Sequence, residues 1–230
     1  MQSERVQMID PKTGIQVIQL TSYPTPSIPL NYDWPSVTPD NRRVVFLSQR
    51  SAEREAPWDI YRCDTDGLDL VRLTKKDESA GYPDITLSLD GKSAYVVWRE
   101  EKILRKMDTE TGTMEDLLSI ADHCPPGLGV LAVRYGSVGS RLYLDLRDCM
   151  AGEGRMIRVD LGTGAVSVDE TNMTIAACDQ ATGRLIVIKN FMKLGTKMGA
   201  NGTRVYHNAN PEPMRYYSVK EDGTDEQYIA

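Results

Sequence analysis

The chain has little of what marks most specialised sites. It holds four cysteines, Cys63, Cys124, Cys149 and Cys178, too far apart for a CxxC or CxH metal spacing or a small disulfide framework. Its only histidines are His123 and His207. No apolar run approaches the ~18 residues of a membrane span. The opening MQSERVQMIDPKTG has no apolar stretch of the signal-peptide kind. With scattered thiols and no such signal, a reducing cytoplasm is the expected compartment. There is no Lys/Arg block, and the net charge is −6, which points away from nucleic acid as a partner. P-loop, GxGxxG and GxSxG patterns are absent. The acidic turns DTDG and DTETG lack the 12-residue ligand spacing of a calcium loop. What is present is 40% hydrophobic residues in 230, enough to bury the core of one medium domain or two small ones.

An internal repeat organises those residues. A short acidic turn ending in glycine, followed by a short strand, reads DPKTGIQVIQLT at 10–21 and DTDGLDLVRLT at 64–74. It returns as DTETGTMEDLLSI at 108–120, DLGTGAVSVDE at 160–170 and KEDGTDEQYIA at 220–230. The marker glycines are Gly14, Gly67, Gly112, Gly164 and Gly223. A second series alternates with the first: TPDNRRVVFLS at 38–48, SLDGKSAYVVW at 88–98, SVGSRLYLDL at 137–146 and DQATGRLIVIK at 179–189. Each is a tight turn feeding a strand of period two, with Gly or Asn supplying positive φ and Val, Ile, Leu and Tyr filling the strand.

Two interleaved series at about 45–50 residues give four strands per unit, the signature of a β-propeller blade. The expected fold is all-β, a single β-propeller domain over 1–230. Blade one spans 34–74 (strands 34–38, 43–49, 58–64, 69–74) and blade two 82–119. Blade three spans 129–169 and blade four 173–229. Residues 15–21 read as an orphan outer strand of an earlier blade. Four blades and an orphan strand suggest part of a longer propeller; the competing arrangement is a compact four-bladed ring with a spare strand. An open stack leaves edges that drive self-association.

The blade pattern resembles the PD40 repeat of TolB-like propellers, above all in WPSVTPDNRRVVFLSQR…WDIYRCDTDGLDLVRLT at 34–74. A narrower resemblance is to the cytoplasmic oligogalacturonate lyases. It is carried by MIDPKTGIQVIQLTS, then Asn31-Tyr32 and VTPDNRRVVF, by YVVWREEKILRKMDTETG at 95–112, and by VYHNANPEPMRYYSVKEDGT at 205–224. That resemblance implies a seven-bladed propeller that cleaves short pectic fragments by β-elimination at a divalent metal, typically manganese. The family's metal ligands, histidines and a glutamine of later blades, match nothing here, so the resemblance assigns no metal ligand in this chain. It implies Arg215 as the proton-abstracting base and His207 as the segment's histidine. The acidic residue that usually follows that histidine is Asn208 here, and the histidine that often precedes the Asn-Tyr pair is missing. The different-class alternative is a non-catalytic TolB-like propeller that binds a protein partner or an acidic sugar.

The residues also speak without the family. A long insertion at 191–213 carries Lys193, Lys197, Arg204 and His207 among Gly195, Gly199 and Gly202; an insertion of that length is either a binding loop or a tolerated surface excursion. A cation recurs where the second strand leaves each blade: Arg50, Arg99, Arg147 and Lys189. With Arg215 they are the candidate grip for an acidic oligosaccharide such as oligogalacturonate, which carries one carboxylate per sugar. The competing reading makes each a turn cap. A guanidinium holds its proton far above neutral pH, so Arg215 is better suited to clamp a carboxylate than to act as a base. His123 reads as a plain loop residue. Trp34, Trp58 and Trp98 read as blade packing before sugar-stacking faces.

Overall fold

A computed structural model describes residues 3–30, 35–50, 56–75, 78, 81–124, 128–136, 140–148, 153–169, 173–179, 182–190, 193–198 and 204–230. Its regular structure is strand, apart from one 3-10 turn at Ala121–His123. β1 (Val6–Ile9) and β2 (Gln16–Gln19) form a hairpin. Four antiparallel four-stranded meanders follow. The first is β3 (Ser27–Pro29), β4 (Arg43–Ser48), β5 (Asp59–Asp64) and β6 (Val71–Arg72). The second is β7 (Pro83–Leu87), β8 (Ser93–Trp98), β9 (Ile103–Asp108) and β10 (Met114–Ser119). The third is β11 (Gly129–Tyr135), β12 (Arg141–Asp148), β13 (Glu153–Asp160) and β14 (Val166–Val168). The fourth begins with β15 (Met173–Asp179) and β16 (Arg184–Lys189). The chain then leaves to make a separate hairpin of β17 (Leu194–Met198) and β18 (Arg204–Asn208). It returns as β19 (Arg215–Lys220) and β20 (Gln227–Tyr228) to complete the sheet. Each meander has the topology of a propeller blade.

The chain divides into two compact units, Met1–Leu118 and Ser119–Ala230. In the first, Val45, Leu47, Ile60 and Leu73 of blade one pack face to face against Ile85, Leu87, Val96, Trp98 and Met107 of blade two. Trp58 and Tyr82 close the edge of that core, their rings 5.8 Å apart and edge-to-face. Trp98 is completely buried and Trp58 packs against the same cluster, so both serve blade packing; Trp34 lies outside the described residues. The opposite face of blade one holds a smaller cluster of Phe46, Tyr61, Cys63 and Leu70, against which Leu20 packs. In the second unit, Tyr143 and Met156 of blade three pack on Met173, Ile175, Leu185, Val187 and Val219 of blade four. Both faces of a blade's middle strands are covered, which is why β4, β8, β12 and β16 read as near-continuous Val/Ile/Leu/Tyr runs.

All five marker glycines adopt positive φ, from 71° to 85°. The turns at Asp10, Asp108 and Asp160 are copies of one another. In each the glycine N–H donates to the aspartate carbonyl, and the aspartate N–H donates to the carbonyl after the glycine, at 2.8–2.9 Å. The aspartate carboxylate accepts a further backbone N–H within the turn. For Asp10 and Asp160 those backbone bonds, with the Thr13 and Thr163 hydroxyls, hold the carboxyl below its usual range. Gly112 also needs its missing side chain for space: a Cβ there would stand 2.2 Å from the Leu73 carbonyl oxygen.

Three expectations change. The strand at 15–21 is no orphan: β2 pairs with β1, whose VQMI is too short to register as a repeat element. Blade one opens with the ladder at Ser27–Pro29, and the expected strand at 34–38 contributes only a bridge between Val37 and Val44. Pro35 within it and Pro39 just after it withhold N–H groups from a ladder there. The insertion at 191–213 is not an open loop but carries a five-pair hairpin.

Candidate functional site

Four recurrent cations stand at or just beyond the ends of the second strands, and each has a carboxylate in its own unit. Arg50 donates through one nitrogen to both carboxylate oxygens of Glu4, at 2.8 and 3.0 Å. It lies between the rings of Tyr23 and Tyr61, 4.5 and 4.7 Å from their centroids. Arg99 grips Asp84 through Nε and Nη2, at 2.9 and 3.3 Å, and stacks on Tyr82 at 5.2 Å. Arg147 pairs with Asp145, which is wholly buried, and also donates to the Ile175 carbonyl. Lys189 pairs with Glu226 at 2.7 Å and sits 4.7 Å above the Tyr217 ring.

These pairs are unequal. Glu4, Asp84 and Asp145 are mostly or fully buried, with side chains 15%, 7% and 0% exposed. Removing the cation from such a carboxylate strands a desolvated charge, so the three arginines are held in place. Glu226 is 41% exposed, and a solvated ion pair is worth only about 0–1 kcal/mol.

The structure brings two of the sequence candidates together. Lys189 and Arg215 are directly opposite one another at the ends of β16 and β19. Like charges in register repel, and each has its own solvated counter-ion: Glu226 for Lys189 and, at 3.7 Å, Glu212 for Arg215. The inserted hairpin rises from between these two residues. His207 pairs with Gly195 across it, and its imidazole lies against that glycine: a Cβ on Gly195 would meet His207 Cε1 at 2.8 Å and Nε2 at 2.9 Å. Lys193 and Lys197 are exposed on the same hairpin. Asn208, standing where an acid was expected, has a local task. Its Oδ1 accepts the N–H groups of Lys193 and Asn210, at 3.2 and 3.0 Å, and so closes the hairpin base. The side chain of Arg204 and residues Gly199 and Gly202 lie outside the described structure, as do Asn31 and Tyr32.

Arg50 and Arg99 belong to the first unit, each on its own blade with its own carboxylate. Arg147, in the second, is turned to the buried Asp145. Sequence reading found the cations and missed their partners, because Glu4, Asp84, Asp145 and Glu226 share no spacing from the cations they meet. His123 sits in the short 3-10 turn. A guanidine acts as a base only where burial among cations favours its neutral form; the Arg215 side chain is 47% exposed and meets a carboxylate. The geometry gives it the means to bind an anion. Among the described residues no group of three or more His, Cys, Asp or Glu side chains comes together to hold a metal.

No protein-family model and no curated protein matches the sequence. Solved structures do. An oligogalacturonate lyase from Vibrio parahaemolyticus superposes with a TM-score of 0.60 at 12% identity, covering 100% of this chain and 72% of that one. An oligogalacturonate lyase in complex with manganese gives 0.57 at 15%, covering 100% and 73%. A putative TolB from Agrobacterium tumefaciens gives 0.54 at 15%, covering 84% and 62%. At these identities the likeness establishes the fold: an all-β, TolB-like β-propeller architecture.

Proposed function

We propose that this TolB-like propeller is an oligogalacturonate-lyase-like protein that binds short acidic pectic fragments at the rim of its fourth blade. The observation that carries the reading is the opposed pair Lys189 and Arg215. Two cations stand side by side, each with a solvated and therefore exchangeable counter-ion, beneath a hairpin bearing Lys193, Lys197 and His207. A uronate carboxylate accepts two N–H donors from a guanidinium in one plane, and displacing Glu212 or Glu226 into water costs little. Arg50, Arg99 and Arg147 then serve as the blades' own braces.

The reaction class suggested by the likeness is β-elimination, in which a base removes the proton alpha to the uronate carboxylate while the developing enediolate is neutralised, the C–O bond at the β carbon breaks as the double bond forms, and the departing sugar oxygen takes up a proton. In this chain Arg215 and Lys189 supply positive charge for that carboxylate. His207 is the remaining candidate for proton transfer. Calorimetric titration with digalacturonate, beside ultraviolet detection of the unsaturated product with and without manganese, tests both halves. Absence of binding at millimolar sugar would sink the proposal.

A second reading rests on its own observation. Three of the four recurrent rim cations are committed to buried or largely buried carboxylates, which suits a non-catalytic propeller that binds a protein or an acidic sugar. Binding of digalacturonate without product would favour it.

A further inference from the structure

Blade one meets blade two, and blade three meets blade four, through one construction at the strand ends away from the recurrent cations. Arg43 and Arg141 open the second strands and stand across from Asp64 and Asp160, the last residues of the third strands. Two residues before those ends come Arg62 and Arg158. The turn of the next blade reaches them. Thr109 and Glu221 follow the ends of β9 and β19, and their N–H groups donate to the carbonyls of Lys92 and Gly183, at 3.0 and 3.1 Å. The next residue is Glu110 in one copy and Asp222 in the other.

In the first copy Glu110 fills the place between the two arginines. Its carboxylate pairs with Arg43 and, at 3.1 Å, with Arg62, whose Nε also donates to the Glu110 carbonyl at 3.3 Å. The Arg62 side chain is left 6% exposed. In the second copy the turn is one residue shorter and carries the shorter acid. Asp222 turns its carboxylate to the Thr224 hydroxyl and N–H, at 2.6 and 2.8 Å, and these bonds hold it below its usual range. Among the described residues it pairs with neither Arg141 nor Arg158.

Arg141 and Arg158 instead line a recess of about 290 Å³ with Asp160, Ser167 and Asp222. The Arg158 side chain is 28% exposed, and its Nε is shielded from solvent without a hydrogen-bond partner, which is rare for a buried polar atom. Its Nη2 donates to Asp169 at 3.1 Å. Arg141 donates to the Glu221 carbonyl at 3.3 Å and stands 4.0 Å from Asp160. The acids nearby face other groups. Asp160 accepts the N–H groups of Gly162 and Thr163 and the Thr163 hydroxyl, and the Glu221 carboxyl lies against Cys178 and Gly136. We propose that this recess binds the carboxylate of a small organic acid between the guanidinium groups of Arg141 and Arg158, as Glu110 binds between Arg43 and Arg62. A carboxylate accepts paired N–H donors in one plane. The volume stands at the lower limit of small-ligand pockets, ~300–1,000 Å³, so the acid is small. The site shares no residue with the Lys189 and Arg215 pair and lies at the other end of β19.

The test titrates the full chain, isotope-labelled at arginine, with sodium succinate at fixed ionic strength and reads the Nε–Hε signals of Arg141 and Arg158 by NMR. Expected are a saturable shift of both signals and at least a tenfold loss of affinity in Arg141→Gln and in Arg158→Lys, read on the arginine that remains. Arg158→Lys keeps a cation beside Asp169 and loses the planar fork; Arg141→Gln changes a side chain that is 37% exposed, so both variants retain the fold. Arg215→Ala should leave the response unchanged. A response lost in that variant would move the binding to the rim of blade four and overturn the proposal. The absence of a saturable shift, an equal response to sodium chloride, or indifference to both substitutions at the recess overturns it too. So does a response to inorganic phosphate without one to succinate.

Discussion

Lys189 and Arg215 face each other across adjacent strands, and neither is neutralised by the other's partner. Two cations held in register by the ladder create a local demand for negative charge that Glu226 and Glu212, both well solvated, meet only weakly. Lys189→Ala and Arg215→Ala are each expected to weaken digalacturonate binding about fivefold, on the order of 1 kcal/mol. Added salt should reduce the wild-type affinity, because exposed charges are screened over ~8–10 Å. Titration calorimetry at two salt concentrations measures both effects. Unchanged affinity in the two variants would return these residues to the role of turn caps.

Asp145 is wholly buried against Arg147. Asp145→Ala leaves a guanidinium in a desolvated site and is expected to cost about 3–5 kcal/mol. Glu226→Ala removes an exposed partner and should change stability by less than about 0.5 kcal/mol. Urea denaturation of the two variants should separate them clearly; equal effects would show that burial does not rank these pairs.

Gly14 and Gly112 share φ = 71° and the same turn, yet only Gly112 has a neighbour where a Cβ would go. Gly14→Ala should cost about 1 kcal/mol of backbone strain. Gly112→Ala carries that strain and must also push the Leu73 carbonyl away, so a loss of about 3 kcal/mol or more is expected. Matching denaturation midpoints for the two variants would contradict the close approach.

Burial pushes the Cys63 thiol up from 9.0 to about 11, with Asp64 and Asp66 adding to the shift. The folded state therefore holds its proton more tightly than the unfolded chain. The stability that this contributes is complete below pH 9 and is lost as pH rises towards 11. Tyr143, raised above 10.0 chiefly by burial, adds to the decline above pH 10. Cys63→Ala should remove the part of the alkaline decline that begins near pH 9. Denaturation curves from pH 8 to 11 check it, and an identical decline in the variant would assign the effect elsewhere.

Much of the fold is legible in the sequence because blade turns are local. Asp160-Leu-Gly-Thr-Gly164 dictates its own hydrogen bonds, and the strands on either side inherit their register from it. Blade two, expected over 82–119, accordingly runs from Pro83 of β7 to Ser119 of β10, and blade four, expected from 173, opens with Met173 of β15. β1 was missed because four residues cannot show a period, and β3 because a three-residue strand that ends in Pro29 and is flanked by Pro24, Pro26 and Pro35 does not look like one. The site was legible in its cations and illegible in its anions. Arg147 meets a partner two residues away, Arg99 one 15 residues away and Arg50 one 46 residues away, and no linear pattern announces such pairings.

The inserted hairpin leaves and re-enters blade four through a single cross-strand pair. Its two ends are thus pinned side by side before the insertion begins, and lengthening it adds little to the entropy of closure. Among the described residues the hairpin contributes no side chain to the core cluster of the sheet from which it grows, and it is in effect a side branch. Exchange of this branch alone would let one propeller scaffold present different surfaces to different ligands, with the cation pair at its root kept as the common anchor.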